Sequence, residues 1–397
     1  MSPRPGPVPC LPMGSVSWSQ VWGHRLARHT LLRRAPGIRL VEVVGAVCGI
    51  HAQVMGAAEL SIGVRVTGVT RQDVRSELWE RRTLVKTYGI RGTVHLFPAG
   101  DLPLWMAAAR ARGFGPQEQK RLGQMGLDRS QLEAIVETIG EALDGRRLTQ
   151  QQLGDEVAAR LGSWVQARTA PAWGGAWPRW RMALGWAASA GLLCFGPNAG
   201  NQVTFVRPDQ WVGEWRDLDP GGALAEAFRR YLLAYGPATT RDFAQWFGVS
   251  PREAAELPTA LGGQIREVEV EGERRLALST DRLGLRAEVE DSVRLLPLFD
   301  CYVRGCHPRD RLIPPWAQRA VVQGGIGQIP DLLIDGVVAG VWEQRRRGDR
   351  VEVTVEPFLR LTAHQRVLLE GEAARIGEVQ EAEATLTVGP VAARPHL

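Results

Sequence analysis

Lysine is almost missing from this chain of 397 residues: Lys86 and Lys120 are the only two, against 48 lysines and arginines together. A reaction through an amine Schiff base has only those two candidates, both in ordinary polar surroundings, so such chemistry is not expected. Cysteine is scarce too. The five, Cys10, Cys48, Cys194, Cys301 and Cys306, are odd in number and scattered, which argues against a disulfide framework and fits free thiols in a reducing compartment. No run of about 18 apolar residues occurs, so no membrane-spanning helix is expected. The opening MSPRPGPVPCLPMG is rich in Pro and Gly and has no apolar core with a small-residue cleavage site. Residues 1–14 therefore read as a disordered leader, and the cytoplasm as the compartment. A Gly-rich phosphate loop is missing as well, because GGIGQIP after Gln323 lacks the strand-to-helix setting such a loop needs. Cys301, Cys306 and His307 lie close together without a second ligand pair, so no metal and no cofactor are expected.

What the chain does have is arginine. Its net charge of +5 is carried almost wholly by guanidinium groups. These suit bidentate contacts to phosphates and base edges, although a GC-rich coding bias would produce the same excess. Hydrophobic residues at 44% and charged residues at 23% are globular values, and the length points to about two to four domains.

The periodicity is most regular in the middle. Residues 132–143 and 149–161 carry apolar positions three and four apart, as two helices do, and residues 179–191 follow as a third after a Pro/Gly/Trp loop. LLCFGPNAGNQVTFV then reads as two strands about a turn. Helix, helix, helix, hairpin is the order of a winged helix. It recurs from Ala223 in AEAFRRYLLAYG, PATTRDFAQWFG, SPREAAELPTAL with Ser250 as N-cap, and the wing IREVEVEGERRLAL. A looser copy opens the chain, with helices over residues 18–32, 40–60 and 71–80 and the strands TLVKTYGI and GTVHLF. From about residue 285 the pattern becomes short alternating runs, interrupted by one helix over 362–374. The expected fold is α+β: a tandem array of three winged-helix units at 15–110, 127–210 and 221–283, then a β-barrel-like domain or open sheet at 284–397. Three such units in one chain suit a protein that wraps DNA better than a simple dimeric repressor.

Within the first unit the segment CGIHAQV sets two polar residues, His51 and Gln53, among apolar flanks. On a continuous α-helix they would point about 200° apart; they converge only if the backbone is extended or turned, which Gly49 permits. Either they are core residues satisfied by backbone groups or they face a partly dry cleft. In GIRGTVHLF, strand alternation puts Arg91, Thr93 and His95 on one face, which lines a cleft or is the solvated side of a wing. Arg179 and Arg181 open a recognition-type helix where phosphate contacts are expected, with Trp180 and Trp186 as core. Arg345, Arg346 and Arg347 crowd a hairpin turn shaped to clamp phosphates, or simply a solvated turn. Asp300, Arg309, Asp310 and Arg311 either belong to a site or form ion pairs that tie the last domain to the helical units.

Three blocks, LVKTYGIRGTVHLFPAGDLPLW at 84–105, LLPLFDCYVRGCHPRDR at 295–311 and PDLLIDGVVAGVW at 330–342, resemble those of the AlkZ/YcaQ-like winged-helix DNA glycosylase superfamily, in that family's order. The likeness runs from Trp18 to the C-terminus. It implies excision of bulky alkylated purines from double-stranded DNA, without a cofactor, and the unhooking of interstrand crosslinks. His51, Ala52 and Gln53 stand where the family carries Gln, an apolar residue and a second polar residue. A histidine at the first position is similar to the AlkZ-like subgroup associated with producers of DNA-alkylating antibiotics. The resemblance thus implies catalytic roles for His51 and Gln53 in a monofunctional hydrolysis; a monomer is the expected state, although the sequence carries no signal of oligomeric state. Arg91, His95, Arg179, Arg181, Arg309, Arg311, Arg345, Arg346 and Arg347 are the expected DNA contacts. The other class of function that the element order allows is a non-enzymatic winged-helix DNA binder or transcriptional regulator.

Overall fold

A computed structural model describes residues 16–112, 116–172, 175–213, 215–283, 289, 292–317 and 329–392. The expected leader, Cys10 and most of GGIGQIP lie outside these.

The chain enters through helix α1, Trp18–Arg28, started by a capping box in which Ser17 and Gln20 satisfy each other's backbone N–H. The helix expected over residues 40–60 is not continuous. It splits into α2, Leu40–Ala46, a short strand β1, Ile50–His51, and α3, Met55–Gly63. Cys48 and Gly49 adopt left-handed φ of 62° and 92°, and the Gly49 N–H closes the end of α2 by donating to Val44 O at 2.9 Å. A side chain at Gly49 would sit 2.5 Å from Phe97 Cε1, so only glycine lets the chain turn this close to the neighbouring strand. Helix α4, Arg71–Trp79, follows, then strands β2, Leu84–Tyr88, and β3, Val94–Pro98, giving an antiparallel sheet in the order β1-β3-β2. Helix α5, Leu102–Arg110, leads out of it.

The middle region holds helices α6, Pro116–Gln124, α7, Arg129–Ala142, and α8, Gln150–Leu161, the last preceded by the two-residue strand β4, Leu148–Thr149. What reads in sequence as a Pro/Gly/Trp loop contains a hairpin of β5, Arg168–Ala172, and β6, Gly175–Pro178. The single helix expected at 179–191 is two short ones, α9, Arg179–Met182, and α10, Leu184–Ser189, before the hairpin of β7, Cys194–Ala199, and β8, Gln202–Val206. After the short α11, Pro208–Trp211, come α12, Pro220–Tyr235, α13, Thr240–Phe247, and α14, Pro251–Leu261. The hairpin of β9, Ile265–Val270, and β10, Glu273–Leu278, closes this region.

The last region is a five-stranded curled sheet, a half-barrel whose order β11-β12-β13-β14-β15 leaves both edges open among the described residues. Its strands are β11, Val293–Leu296, β12, Asp331–Ile334, β13, Val337–Arg347, β14, Arg350–Pro357, and β15, Glu383–Val388. Two short helices, α15, Cys301–Gly305, and α16, Arg309–Leu312, sit between β11 and β12. Helix α17, Ala363–Gln380, makes the crossover that lets β15 run parallel to β14. It also packs on α3, so the half-barrel rests against the first region. One hydrophobic core joins α1, α5, α12 to α14 and the Tyr302 side of the half-barrel, while a second joins the first and middle regions. Among the described residues no helix is long and apolar enough to cross a membrane.

Candidate active site

The break after α2 creates the site. Because residues 50 and 51 turn into strand conformation, His51 pairs with His95 across the β1–β3 ladder and Ala52 N–H continues it to Val94 O at 2.7 Å. The Tyr235 hydroxyl, from α12, donates to Val47 O at 2.9 Å and ties the turn to the third region. The strand ends at His51, Ala52 is buried and Gln53 begins a bend. His51 is half-buried and Gln53 exposed.

His51 lines a small cleft with a cavity volume of about 20 Å³, together with Arg91, Thr93, His95, Trp246 and Arg304. No carboxylate is among its described lining residues. The rings of His51 and His95 meet edge to face at 5.3 Å, and Phe299 lies 4.8 Å from His51 on the other side. His95 Nδ1 is 2.9 Å from Thr93 O. A carbonyl can only accept, so Nδ1 carries the proton and the ring is the Nδ1–H tautomer. His51 Nδ1 is buried with no hydrogen-bond partner among the described residues. Burial, then His95, then the Arg304 and Arg91 charges lower the His51 pKa to about 2. His95 is lowered to about 4, chiefly by burial. Both imidazoles are neutral at physiological pH, in a cleft whose charge comes from arginine.

Arg91 does not reach this cleft by strand alternation. It sits at φ 53° in the turn between β2 and β3, which packs on the C-terminal end of α13. A Cβ at Gly248 there would crowd Arg91 Cγ at 3.1 Å, and the left-handed φ of 88° at that position favours glycine. The exposed Arg91 makes no hydrogen bond or ion pair among the described residues and also lines a second, larger groove of about 790 Å³. Arg181 lines that groove, with its guanidinium 4.1 Å over the Trp177 ring. His51, Arg91, Thr93, His95 and Arg181 are thus brought to two adjoining cavities.

The other expected contacts are not. Gln53 is outside the lining of the cleft. Arg179 bonds Thr169 Oγ1 at 3.1 Å. Arg309 is tucked against Arg304 O, with burial lowering its pKa to about 10. Arg311 is half-exposed, about 4 Å from Glu271 and Glu273. Arg345, Arg346 and Arg347 end β13, and Arg347 pairs with Arg350 across the turn. Val341, six residues back, pairs with Asp331 at the site end of the sheet, so the arginine hairpin is about 20 Å away along the strand. Arg346 also bonds Gln380 O at 2.7 Å. Asp300 is a structural ion-pair member: its carboxylate takes two bonds of 2.7 Å from Arg65 and one of 2.6 Å from Ser61, all buried.

Two site residues escaped the sequence reading, Phe299 and Arg304. Both lie inside the block LLPLFDCYVRGCHPRDR, and the signal was the adjacency of an aromatic and a cation to Asp300. A third feature, Asp331, is buried with both carboxylate oxygens unpartnered among the described residues. Its pKa is raised to about 8 by burial and by Asp300, against the pull of Arg309 and Arg304.

A cation-lined cleft with a neutral histidine, opening on a groove between helical regions, is the setting of an enzyme that works on a polyanion. Residues 44–379 match the family described as DNA glycosylase AlkZ-like, and the chain belongs to that family. It is a DNA glycosylase, a hydrolase of N-glycosidic bonds. The interstrand DNA cross-link repair glycosylase of Streptomyces sahachiroi is 31% identical over 353 residues, covering 86% of this chain and 91% of that protein. The solved structure of Streptomyces sahachiroi DNA glycosylase AlkZ is similar with a TM-score of 0.81 at 28% identity, covering 94% of this chain and 100% of that one.

Proposed function

We propose that this glycosylase hydrolyses the N-glycosidic bond of bulky alkylated purines, above all guanine adducts of a DNA-alkylating natural product, and that it unhooks crosslinks as its Streptomyces relative is named for doing. It would thereby repair DNA and protect a producing cell, acting as a monomer in the cytoplasm on double-stranded DNA. In this reading the regions at 15–110, 127–210 and 221–283 are winged helices; in each an antiparallel hairpin follows a run of helices, which supports it, with α5 added after the first hairpin and α11 after the second.

The observation that carries the proposal is the neutral, half-buried His51 ring beside an open groove. An alkylated purine is already cationic, so it departs as a neutral base without an acid. Water attacks C1′, the C1′–N bond electrons pass to the purine, and the water proton passes to His51. The products are the free modified base and a sugar with a hydroxyl at C1′. A weak base suffices, because the water acidifies as it bonds to an oxocarbenium-like carbon. Gln53 lies outside the cleft lining in the free protein, so it orients that water through its amide only once bound DNA lies over both residues. Phosphates of bound DNA pair with Arg91 and Arg304, relieving two of the causes that depress His51. The cleft's cavity of about 20 Å³ has room for about one water and not for a purine, which favours attack on the sugar in place over full extrusion of the base.

The test is single-turnover release of modified base from duplex DNA with a defined bulky guanine adduct. His51→Ala and Gln53→Ala should lose release while keeping DNA binding. Undiminished release by His51→Ala would refute the assignment of the base.

A further inference from the structure

We propose that His95 is a second catalytic residue: its Nε2 and that of His51 are the two acceptors that hold the attacking water, which leaves a lone pair of the oxygen turned towards C1′. The inference rests on the hydrolytic reading of His51 and moves His95 from the expected DNA contacts into the reaction. Only 7% of His95 is exposed, too little for a residue that meets phosphates. The two rings are fixed opposite each other, because His51 and His95 are directly paired across the β1–β3 ladder with ring centroids 5.3 Å apart. Phe97 stacks on His95 at 5.6 Å and Phe299 lies against His51, so neighbours restrain both rings.

The hydrogen bonds decide which nitrogens are open. Thr93 O accepts from Gly89 N–H at 2.8 Å and from His95 Nδ1–H at 2.9 Å, so the His95 proton is held on Nδ1 and the Nε2 lone pair is free. His51 buries Nδ1, so Nε2 is its nitrogen towards the cleft. Two acceptors roughly 4.5 Å apart match the two hydrogens of one water, a separation that rings at this spacing allow. The other lining groups do not compete. No carboxylate is among the described lining residues, Arg91 and Arg304 can only donate, and the hydroxyls of Thr93 and Tyr235 donate to Ile90 O and Val47 O, each at 2.9 Å. The cavity of about 20 Å³ has room for about one water. Both imidazoles are neutral there at physiological pH, so both lone pairs are available. As the C1′–O bond forms and the C1′–N electron pair leaves with the purine, one water proton passes to His51 Nε2. The other stays on the oxygen, hydrogen-bonded to His95, and becomes the proton of the C1′ hydroxyl. His95 is unchanged at the end and supplies direction, not charge.

Two substitutions rank in opposite order according to whether His95 works as an acceptor or as packing. His95→Phe keeps a ring beside Phe97 and removes the acceptor; His95→Gln gives up the ring and puts an amide oxygen near the place of Nε2. On duplex DNA with a defined bulky guanine adduct, His95→Phe should slow single-turnover release about 10²-fold with duplex affinity kept, and His95→Gln should remain at least about tenfold faster than His95→Phe. A residue that only packs would give the reverse order, and that order would overturn the proposal. Unslowed release by His95→Phe while His51→Ala loses it would also overturn it and leave His51 as the base. The second readout needs no catalysis: a crystal structure of the wild type should show one water within about 3.2 Å of both Nε2 atoms, lost in His95→Phe. A wild-type cleft without that water would overturn the proposal. A bridging water in a protein whose His51→Ala variant releases base undiminished would refute the base assignment at His51 and leave the two-histidine water site standing.

Discussion

Phe299 holds its ring 4.8 Å from that of His51, on a backbone at φ 61° that non-glycine residues rarely adopt. The next residue explains how that conformation is kept. Asp300 is locked into Arg65 and Ser61, so a buried ion pair between the half-barrel and the first region fixes the aromatic lid of the site. Burial raises the Asp300 pKa, but the Arg65 charge and the bonds it receives win, leaving it below the ordinary value. Removing one member of such a pair strands the other. Arg65→Ala should cost about 3–5 kcal/mol, read by urea denaturation. Phe299→Ala should leave the fold intact and move the His51 titration, followed by NMR, upward towards about 6.5, because burial is the first cause of its depression.

His51 itself should reveal its setting in a pH profile. The neutral ring is the base, and it is lost only as pH falls through its pKa, which is lowered to about 2 in the free cleft. Single-turnover excision should stay nearly flat from pH 8 to about 5, whereas an ordinary histidine would lose rate below about 6.5. His51→Ala should cost about 10²–10⁴ in rate. A wild-type inflection near 6.5 would mean that the group limiting the rate is not this buried ring.

Asp331 predicts a stability change of the opposite character. Unfolded, its carboxyl ionises above about 3.9; folded, it keeps its proton until about 8. The cost of ionising it in the fold is absent below the lower value, grows between the two and is complete above the higher. Asp331→Asn should therefore stabilise the protein by about 1–3 kcal/mol at pH 9, with a much smaller gain at pH 5. Equal gains at both pH values in denaturant melts would contradict this.

Arg91 is exposed, without a partner among the described residues, and shared by both cavities. As a phosphate contact, its replacement by alanine should weaken duplex binding and reduce the slope of log affinity against log salt by about one. Arg346→Ala, whose guanidinium is bonded to Gln380 O, should change that slope less.

The sequence by itself determined most of the helices, the hairpins that follow them, and the polar pair His51 and Gln53 in an apolar segment, because 3.6- and 2-residue periodicities and capping boxes are local signals; the β5–β6 hairpin inside the Pro/Gly/Trp loop was missed. Even Gly49 was legible as the place where a helix could break. It could not show that the break feeds a strand against β3, since pairing of His51 with His95 is a contact between distant segments. Strand alternation suggested that Arg91, Thr93 and His95 share a face, and they do share a cleft, but Arg91 gets there through a left-handed turn. The hairpin arginines looked as good in sequence as Arg91, and only the length of β13 separates them from the site. Phe299, Arg304 and the unpartnered Asp331 were decided entirely by the tertiary structure. Burial, and the ring or charge that faces a group, depend on which segments pack together, and no short window of sequence holds that information.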